Sequence, residues 1–491
     1  MSYQEPFTDL APDLRISRVI TGLWQIADME RGGEAVDLDR SARSMQAYMA
    51  AGLTTFDMAD HYGSSEEIAG HFANNYLRGE SAQLLTKWVP KPGGASRETV
   101  REAVQRALDR LQTDQLQLLQ YHAWNYADPS YLDDLAYLHE LQEEGLIAHL
   151  GLTNFDTAHL RVVLESGIDI VSNQVCFSLL DQRAANGMLA LCQQRNVKLL
   201  AFGTLAGGFL SERWLNTAEP DQSSLSTWSQ MKYKRYIDEA GGWDRFQSLL
   251  AVLNDAARKH HVSVANIASR FILEQPGVGA VIIGARLGQS EHIDNNKQLL
   301  DFSLSKESRD AIGDALATLT AIHGDCGDEY RKPPFLTASG DLSHHIETLP
   351  APYPTTPGSD GQTLALSGTV WEDLAGFSRA VRKGNTIYVS GTTATHHDRV
   401  IGAQDPITQT HYVIDKLEGA LQSLGGCLEN VVRTRIFIRN MEDWEAVARV
   451  HGERFAHIQP ANTLVRAELV GQEYLVEIEA DAVCSTQADG N

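Results

Sequence analysis

Basic residues are scarce in this chain. Lys and Arg number 41 against 64 Asp and Glu, a formal net charge of −23. Nucleic acid and anionic membrane both require a basic face, so neither is the expected partner. Long apolar runs are missing too. "VGAVIIGA" is among the longest, far short of a bilayer span. The opening "MSYQEPFTDLAPDLR" has acids and prolines where a secretion signal needs a basic start and an apolar block. Cysteines are few, odd in number and widely spaced: Cys176, Cys192, Cys326, Cys427 and Cys484. That pattern fits reduced thiols in a cytosol better than a disulfide framework or a zinc site, and a cytoplasmic location is expected. What remains, 43% hydrophobic and 21% charged, is a globular composition, and 491 residues exceed one core. Two or three domains are expected.

From residue 16 strand-like and helix-like runs alternate. The strand candidates are "ISRVITGLW", "TTFDMA", "AQLLTKW", "QLQLLQYH", "IAHLGLTN", "VSNQVCFS", "KLLAFGTL" and "AVIIGA". Between them lie amphipathic segments such as "SRETVREAVQRALDRLQT". There Val100, Val104, Ala107, Leu108 and Leu111 share one helical face, and Ser96 caps the start. Eight such units predict an α/β fold, a closed (β/α)8 TIM barrel over residues 1–322. An open doubly wound sheet would want a glycine-rich first turn, and no GxGxxG follows any strand. The long connection 206–242 carries Trp214, Trp228 and Tyr233 and reads as a lid over the barrel mouth.

Residues 323–362 hold six of the chain's fifteen prolines and little periodic pattern, and read as a Pro/Gly-rich linker. Beyond it, over 363–486, strands outnumber helices and do not alternate with them, which predicts a separate α+β domain.

The stretch "TTFDMADHYGSSEE" places a carboxylate, Asp57, at a strand end and a phenol, Tyr62, just beyond it. Lys87 ends the third strand and His122 the fourth. All four therefore meet at the catalytic end of the barrel. Together they suit proton transfer to a carbonyl oxygen. A phenol of pKa about 10 is too weak an acid near neutrality, and an adjacent ammonium lowers that value. Asp57 keeps the buried Lys87 charged, and His122 can donate to the substrate oxygen. The set lacks an electron source and is no metal-ligand cluster, so a hydride-donating cofactor would complete it.

"FDMADHYGSSEEIAG" resembles the D-x-A-x-x-Y-G motif of the aldo-keto reductases, and Asp57, Tyr62, Lys87 and His122 match that family's tetrad in order. The resemblance, over roughly residues 10–320, implies an NADP(H)-dependent oxidoreductase acting on a carbonyl or sugar-like small molecule. It assigns Tyr62 as general acid, tuned by Lys87 and Asp57. "GLTNF" is similar to G-x-S-N-F, which implies that Asn154 and Gln174 hold the nicotinamide amide, with Thr153 in the serine position. Phe202 in "AFGTL" matches the aromatic residue that stacks on the nicotinamide, and Gly203, Thr204 and Leu205 follow it into the cofactor site. "IIGARLGQSEHIDNN" resembles the segment that clasps the 2′-phosphate. Gly284 opens it, Arg286 supplies the cation, and Gln289 and Asn295 lie on the adenine side, with Ser290 and Asp294 as rival positions. Trp24 and Trp124 would line the substrate pocket.

Residues 363–484 resemble the RidA/YjgF (reactive intermediate deaminase) family, whose chorismate mutase-like domains form trimers. The evidence is "ENVVRTRIFIRNMEDWEAV", "FAHIQPANTLVRAELV" and "YLVEIEADAV". Hydrolysing members carry P-A-R-S; here "PANT" puts Asn462 in place of the carboxylate-gripping arginine, although Glu477 is kept. An amide cannot form that bidentate pair. The resemblance thus implies a homotrimer whose second domain lacks imine deaminase activity. Two other readings stand beside it: an NADPH-binding redox-sensing subunit with little turnover, and a two-step enzyme processing one imine-forming metabolite. The pairs His260-His261, His344-His345 and His396-His397 lack the spacing of a metal site and read as solvated, so no metal is expected.

Overall fold

The computed structural model describes residues 5–485 apart from 31, 32, 34, 290, 338–345 and 347. The pair His344-His345 and the position Ser290 lie outside the described residues. A hairpin of β1 (Phe7–Ala11) and β2 (Leu14–Ser17) precedes the first barrel strand. Apart from Ile16 and Ser17, it lies before the first strand expected from the sequence. Its Leu10, Leu14 and Ile16 pack with Leu85, Leu118, Leu200 and Ala280 from the barrel strands. The hairpin thus closes the barrel's floor.

Eight parallel strands form the closed barrel: β3 (Val19–Gly22), β4 (Thr55–Asp57), β5 (Gln83–Trp88), β6 (Leu116–Tyr121), β7 (Ile147–Thr153), β8 (Ser172–Cys176), β9 (Lys198–Phe202) and β10 (Val278–Gly284). They pair in chain order, and β10 returns to β3. These strands are buried on both faces, which explains their near-continuous apolar character. The helix Arg97–Leu111 begins as its sequence predicts: the Ser96 hydroxyl accepts from Thr99 N, and the five expected apolar residues are buried.

The C-terminal domain is a seven-stranded sheet in the order β11-β12-β13-β14-β19-β17-β18. Its strands are β11 (Thr355–Pro357), β12 (Gln362–Ala365), β13 (Ala380–Lys383), β14 (Thr386–Thr393), β17 (Val431–Ile438), β18 (Ala461–Arg466) and β19 (Val476–Val483). A small ribbon, β15 (Thr395–His396) with β16 (Arg399–Val400), projects from it. Helices Pro406–Ser423 and Trp444–Phe455 accompany the sheet.

Two parts of the segment read as linker are ordered. Helix Asp328–Arg331 lies against the barrel, and the sheet already begins at Thr355. Both are too short to produce a periodic signal.

The two domains are in close contact. Helix Pro406–Ser423 is buried nearly all round, with the sheet on one side and barrel helix Thr157–Glu165 on the other. Gly419 permits this approach, since a Cβ there would lie 2.3 Å from the Ala127 carbonyl oxygen. Asn125 donates to Gln422 Oε1 at 2.9 Å across the same seam. His396 is 5% exposed, so it is not the solvated residue expected from sequence; the barrel covers it.

Candidate active site

Strand β4 delivers Asp57 to the mouth fully buried. Its Oδ2 accepts from Lys87 Nζ at 2.6 Å, and its Oδ1 accepts from Gln174 Nε2 at 2.8 Å and Gln120 Nε2 at 3.2 Å. Lys87 also donates to Met58 O at 2.8 Å. Its ammonium stands 4.8 Å from the centre of the Tyr62 ring. Complete burial pulls the Lys87 pKa down, and the Asp57 carboxylate opposes that pull. The site therefore holds a desolvated cation beside a phenol.

The turn carrying Tyr62 depends on Gly63. Its φ is +56°, and a Cβ would collide with Glu30, whose carboxylate accepts from Ser64 N at 3.0 Å. This explains the glycine that follows the phenol.

His122 is buried, and burial followed by the Arg331 guanidinium holds its pKa well below the usual value. The ring is neutral. Its Nδ1 lies 3.4 Å from Thr153 O, and its Nε2 is buried without a partner among the described residues. Trp124 packs edge-on to His122 at 4.4 Å and donates its indole N–H to Pro90 O at 2.7 Å.

A cavity of about 630 Å³ opens at this end of the barrel. Its wall includes Asp57, Tyr62, Trp24, Thr153, Asn154, Gln174, Phe202, Gly203, Thr204, Leu205, Gly284, Arg286 and Asn295, which brings most of the expected positions together. Lys87 and His122 adjoin this wall, Lys87 against Tyr62 and His122 against Tyr330. Trp124 is not among the residues lining this cavity; its indole N–H is directed at Pro90 O and its ring abuts His122. Gln289 is exposed and outside the wall, as is Asp294. Leu287 beyond Arg286 is buried, and the chain returns to the cavity wall at His292, Asn295 and Asn296, around the start of the following helix.

Several wall residues were not anticipated. Lys232, on lid helix Trp228–Glu239, is 5% exposed and donates to Tyr330 OH at 2.9 Å. Its ammonium stands 5.3 Å from the centre of the Phe202 ring. Tyr330 comes from the segment read as linker, and its ring lies 5.7 Å from His122. The next residue, Arg331, donates to Asn154 O at 2.8 Å and to Ala123 O at 3.0 Å, fixing this segment across the strand ends. Asp28 pairs with Arg286 at 2.8 Å. The segment expected as a lid lies at the cavity, where Ser229, Lys232 and Tyr233 form part of the wall. Trp214 instead packs against Phe209 and Trp243 in a satellite core.

The residues present fit a nicotinamide. Asn154, held at φ +58°, presents a buried Oδ1 with no partner among the described residues. Gln174 spends its amide N–H groups on Asp57 and on Gln120 Oε1 (2.9 Å), which leaves its oxygen as the atom for a ligand. Two carbonyl acceptors at one end of a cavity suit the NH2 of a carboxamide.

Comparison with known proteins agrees. The family model described as "Aldo/keto reductase family" matches residues 18–317. The chain belongs to the aldo/keto reductase family. Residues 370–484 match a second model, "Endoribonuclease L-PSP". Among curated relatives, the "NADH-specific methylglyoxal reductase" of Escherichia coli K12 is 28% identical over 322 residues, covering 60% of this chain and 92% of that protein. An uncharacterised Streptomyces coelicolor protein is 36% identical over 125 residues, covering 25% of this chain and 93% of its own length. The solved glycerol dehydrogenase of Gluconobacter oxydans has the same barrel fold, with a TM-score of 0.55 at 23% identity over 66% of this chain and 98% of that one. This aldo/keto reductase is thus an oxidoreductase barrel followed by a RidA/YjgF-type domain. No helix among the described residues is long and apolar enough to cross a membrane.

Proposed function

We propose that the barrel reduces an aldehyde or ketone, or oxidises the corresponding alcohol or aldose, using NADP(H), with Tyr62 as general acid and base. The observation that carries this reading is the Asp57–Lys87 pair buried beside the Tyr62 ring at the cavity wall. The buried ammonium favours the phenolate, which brings the phenol's proton within reach of neutral chemistry. Tyr62 gives that proton to the substrate oxygen during reduction and recovers it during oxidation. His122, kept neutral, offers its Nε2 to orient the same oxygen. Asn154 and Gln174 hold the nicotinamide amide, Phe202 provides an aromatic face for the ring, and Arg286 faces the adenosine end. The bound cofactor supplies the hydride. Trp24, Tyr330 and the lid exclude water from the reacting centre.

A second reading concerns the cofactor. Arg286 is engaged by Asp28, so a 2′-phosphate must compete with a carboxylate already in place. This favours NADH more than the arginine alone suggests, and a relative is named as NADH-specific.

The C-terminal domain is proposed as a trimer scaffold. The sheet face away from its helices leaves Tyr388 53%, Val432 50%, Val465 43% and Val483 44% exposed, and edge strand β18 is exposed along most of its length. Asn462 donates to Thr434 Oγ1 at 2.9 Å, which occupies it internally and supports the absence of imine deaminase activity. Steady-state turnover with a panel of aldehydes, ketones and sugars, using NADPH and NADH in parallel, tests the reading. Turnover with at least one carbonyl class supports it. Cofactor binding without turnover across the panel supports a sensing subunit instead.

A further inference from the structure

We propose that Asp133, His396 and His397 form a divalent-cation site, of the zinc type, that clips the C-terminal domain to the barrel. Asp133 lies on barrel helix Tyr131–Glu143, whereas both histidines come from the ribbon of the C-terminal domain. His396 Nε2 is 2.8 Å from Asp133 Oδ1, and His397 Nε2 is 3.2 Å from Oδ2. One ligand atom from each residue falls within a 4.8 Å cluster. The two rings meet the two oxygens of one carboxylate from adjacent positions in the chain, their centroids 4.4 Å apart.

Two imidazole nitrogens and a carboxylate oxygen are donors that zinc binds. Tetrahedral bonds of about 2.0–2.1 Å place ligand atoms about 3.3 Å apart, so an ion requires the 2.8 Å contact to open by about half an ångström. The Asp133 side chain, 24% exposed, and the exposed His397 are the groups that would turn to open it, since His396 is held by Tyr412. His396 has the support a metal ligand needs: its Nδ1 lies 3.0 Å from the hydroxyl of Tyr412, a fully buried residue of helix Pro406–Ser423. Without an ion Nε2–H donates to Asp133; with the proton moved to Nδ1 and donated to the Tyr412 hydroxyl, the Nε2 lone pair is left for an ion between it and the carboxylate. The His397 side chain is 66% exposed, which leaves water to complete the coordination. The odd cysteines take no part, and the donor set spans two domains, so no spacing in the sequence announces it.

The test uses the full-length protein, stripped with EDTA and dialysed, then titrated calorimetrically with zinc chloride and, separately, with cobalt chloride. The wild-type chain is expected to take up one zinc that His397→Ala and Asp133→Asn bind about tenfold or more weakly, since losing a ligand costs at least as much as losing an outer-shell partner. Cobalt should give visible absorption in the wild type that both variants lose. Zinc should raise the thermal midpoint of the wild type and leave that of His397→Ala unmoved. His397 is mostly exposed, so its truncation tests the site without disturbing a core, and carbonyl reduction serves as the check of folding. No zinc uptake, equal uptake by wild type and both variants, or an equal rise in midpoint in all three would overturn the proposal.

Discussion

His159 of the barrel lies with its Nε2 2.9 Å from the carboxylate of Asp415, across the domain boundary, while its Nδ1 is 2.7 Å from Asp156. Burial alone would lower the pKa of this ring. The two carboxylates outweigh burial and raise it to about 9, so the imidazolium is the form that joins the domains. Arg454 donates to Asp415 at 2.6 Å, and Tyr126 stacks on the ring at 3.5 Å. Tyr126 also donates to Asn154 O at 3.4 Å, so the seam adjoins the residue assigned to the nicotinamide amide.

This pair predicts a pH dependence. The folded value, about 9, lies above the ordinary 6.5, so the stabilisation is fully present below pH 6.5 and is lost as pH rises through 9. A rise of that size corresponds to about 3 kcal/mol. Denaturant unfolding of the full chain should show stability declining between those pH values. His159→Gln should cost about 3 kcal/mol near neutrality and flatten the decline, because it leaves the buried Asp156 carboxylate without its imidazolium and Asp415 with Arg454 alone. An equal decline in wild type and variant would assign the pH dependence to other groups.

The cofactor preference rests on Arg286. A charge-assisted hydrogen bond to a 2′-phosphate is worth about 1.5–3 kcal/mol. Arg286→Ala should therefore weaken NADPH binding about tenfold or more and change NADH binding little. Asp28→Asn should act in the opposite sense, tightening NADPH by releasing the guanidinium from its carboxylate partner. Fluorescence titration with both cofactors checks the pair. Equal losses for NADPH and NADH in Arg286→Ala would make that arginine structural.

For the assembly, light scattering should give a trimer for the full chain. Tyr388→Glu with Val483→Glu places charges on the exposed sheet face and should yield a monomer that still reduces carbonyls. A monomeric wild type, or a trimeric double variant, would contradict the scaffold role.

The barrel is legible in the sequence because its strands are buried on both faces and read as apolar runs, and because Asp57, Tyr62, Lys87 and His122 each end a strand or follow one. Helix Arg97–Leu111 is legible through its cap and its stripe. What escapes has a tertiary origin. Lys232 reads as one lysine on a polar helix, and only the folded lid buries it against Tyr330. Tyr330 and Arg331 fall in a stretch without period, yet Arg331 reaches the carbonyl oxygens of Asn154 and Ala123. His396 reads as solvated because the barrel that covers it lies more than two hundred residues away in sequence. Trp124 follows a strand end, and only the folded chain directs its indole N–H at Pro90 O and sets its ring against His122.

The most direct test of the central claim is single-turnover carbonyl reduction by Tyr62→Phe, with cofactor affinity measured alongside. If the phenol supplies the proton, the rate should fall by about 10²–10⁴-fold while cofactor binding stays close to wild type. A variant that retains more than about half of the wild-type rate would contradict the role, because a general acid of this kind cannot be removed so cheaply.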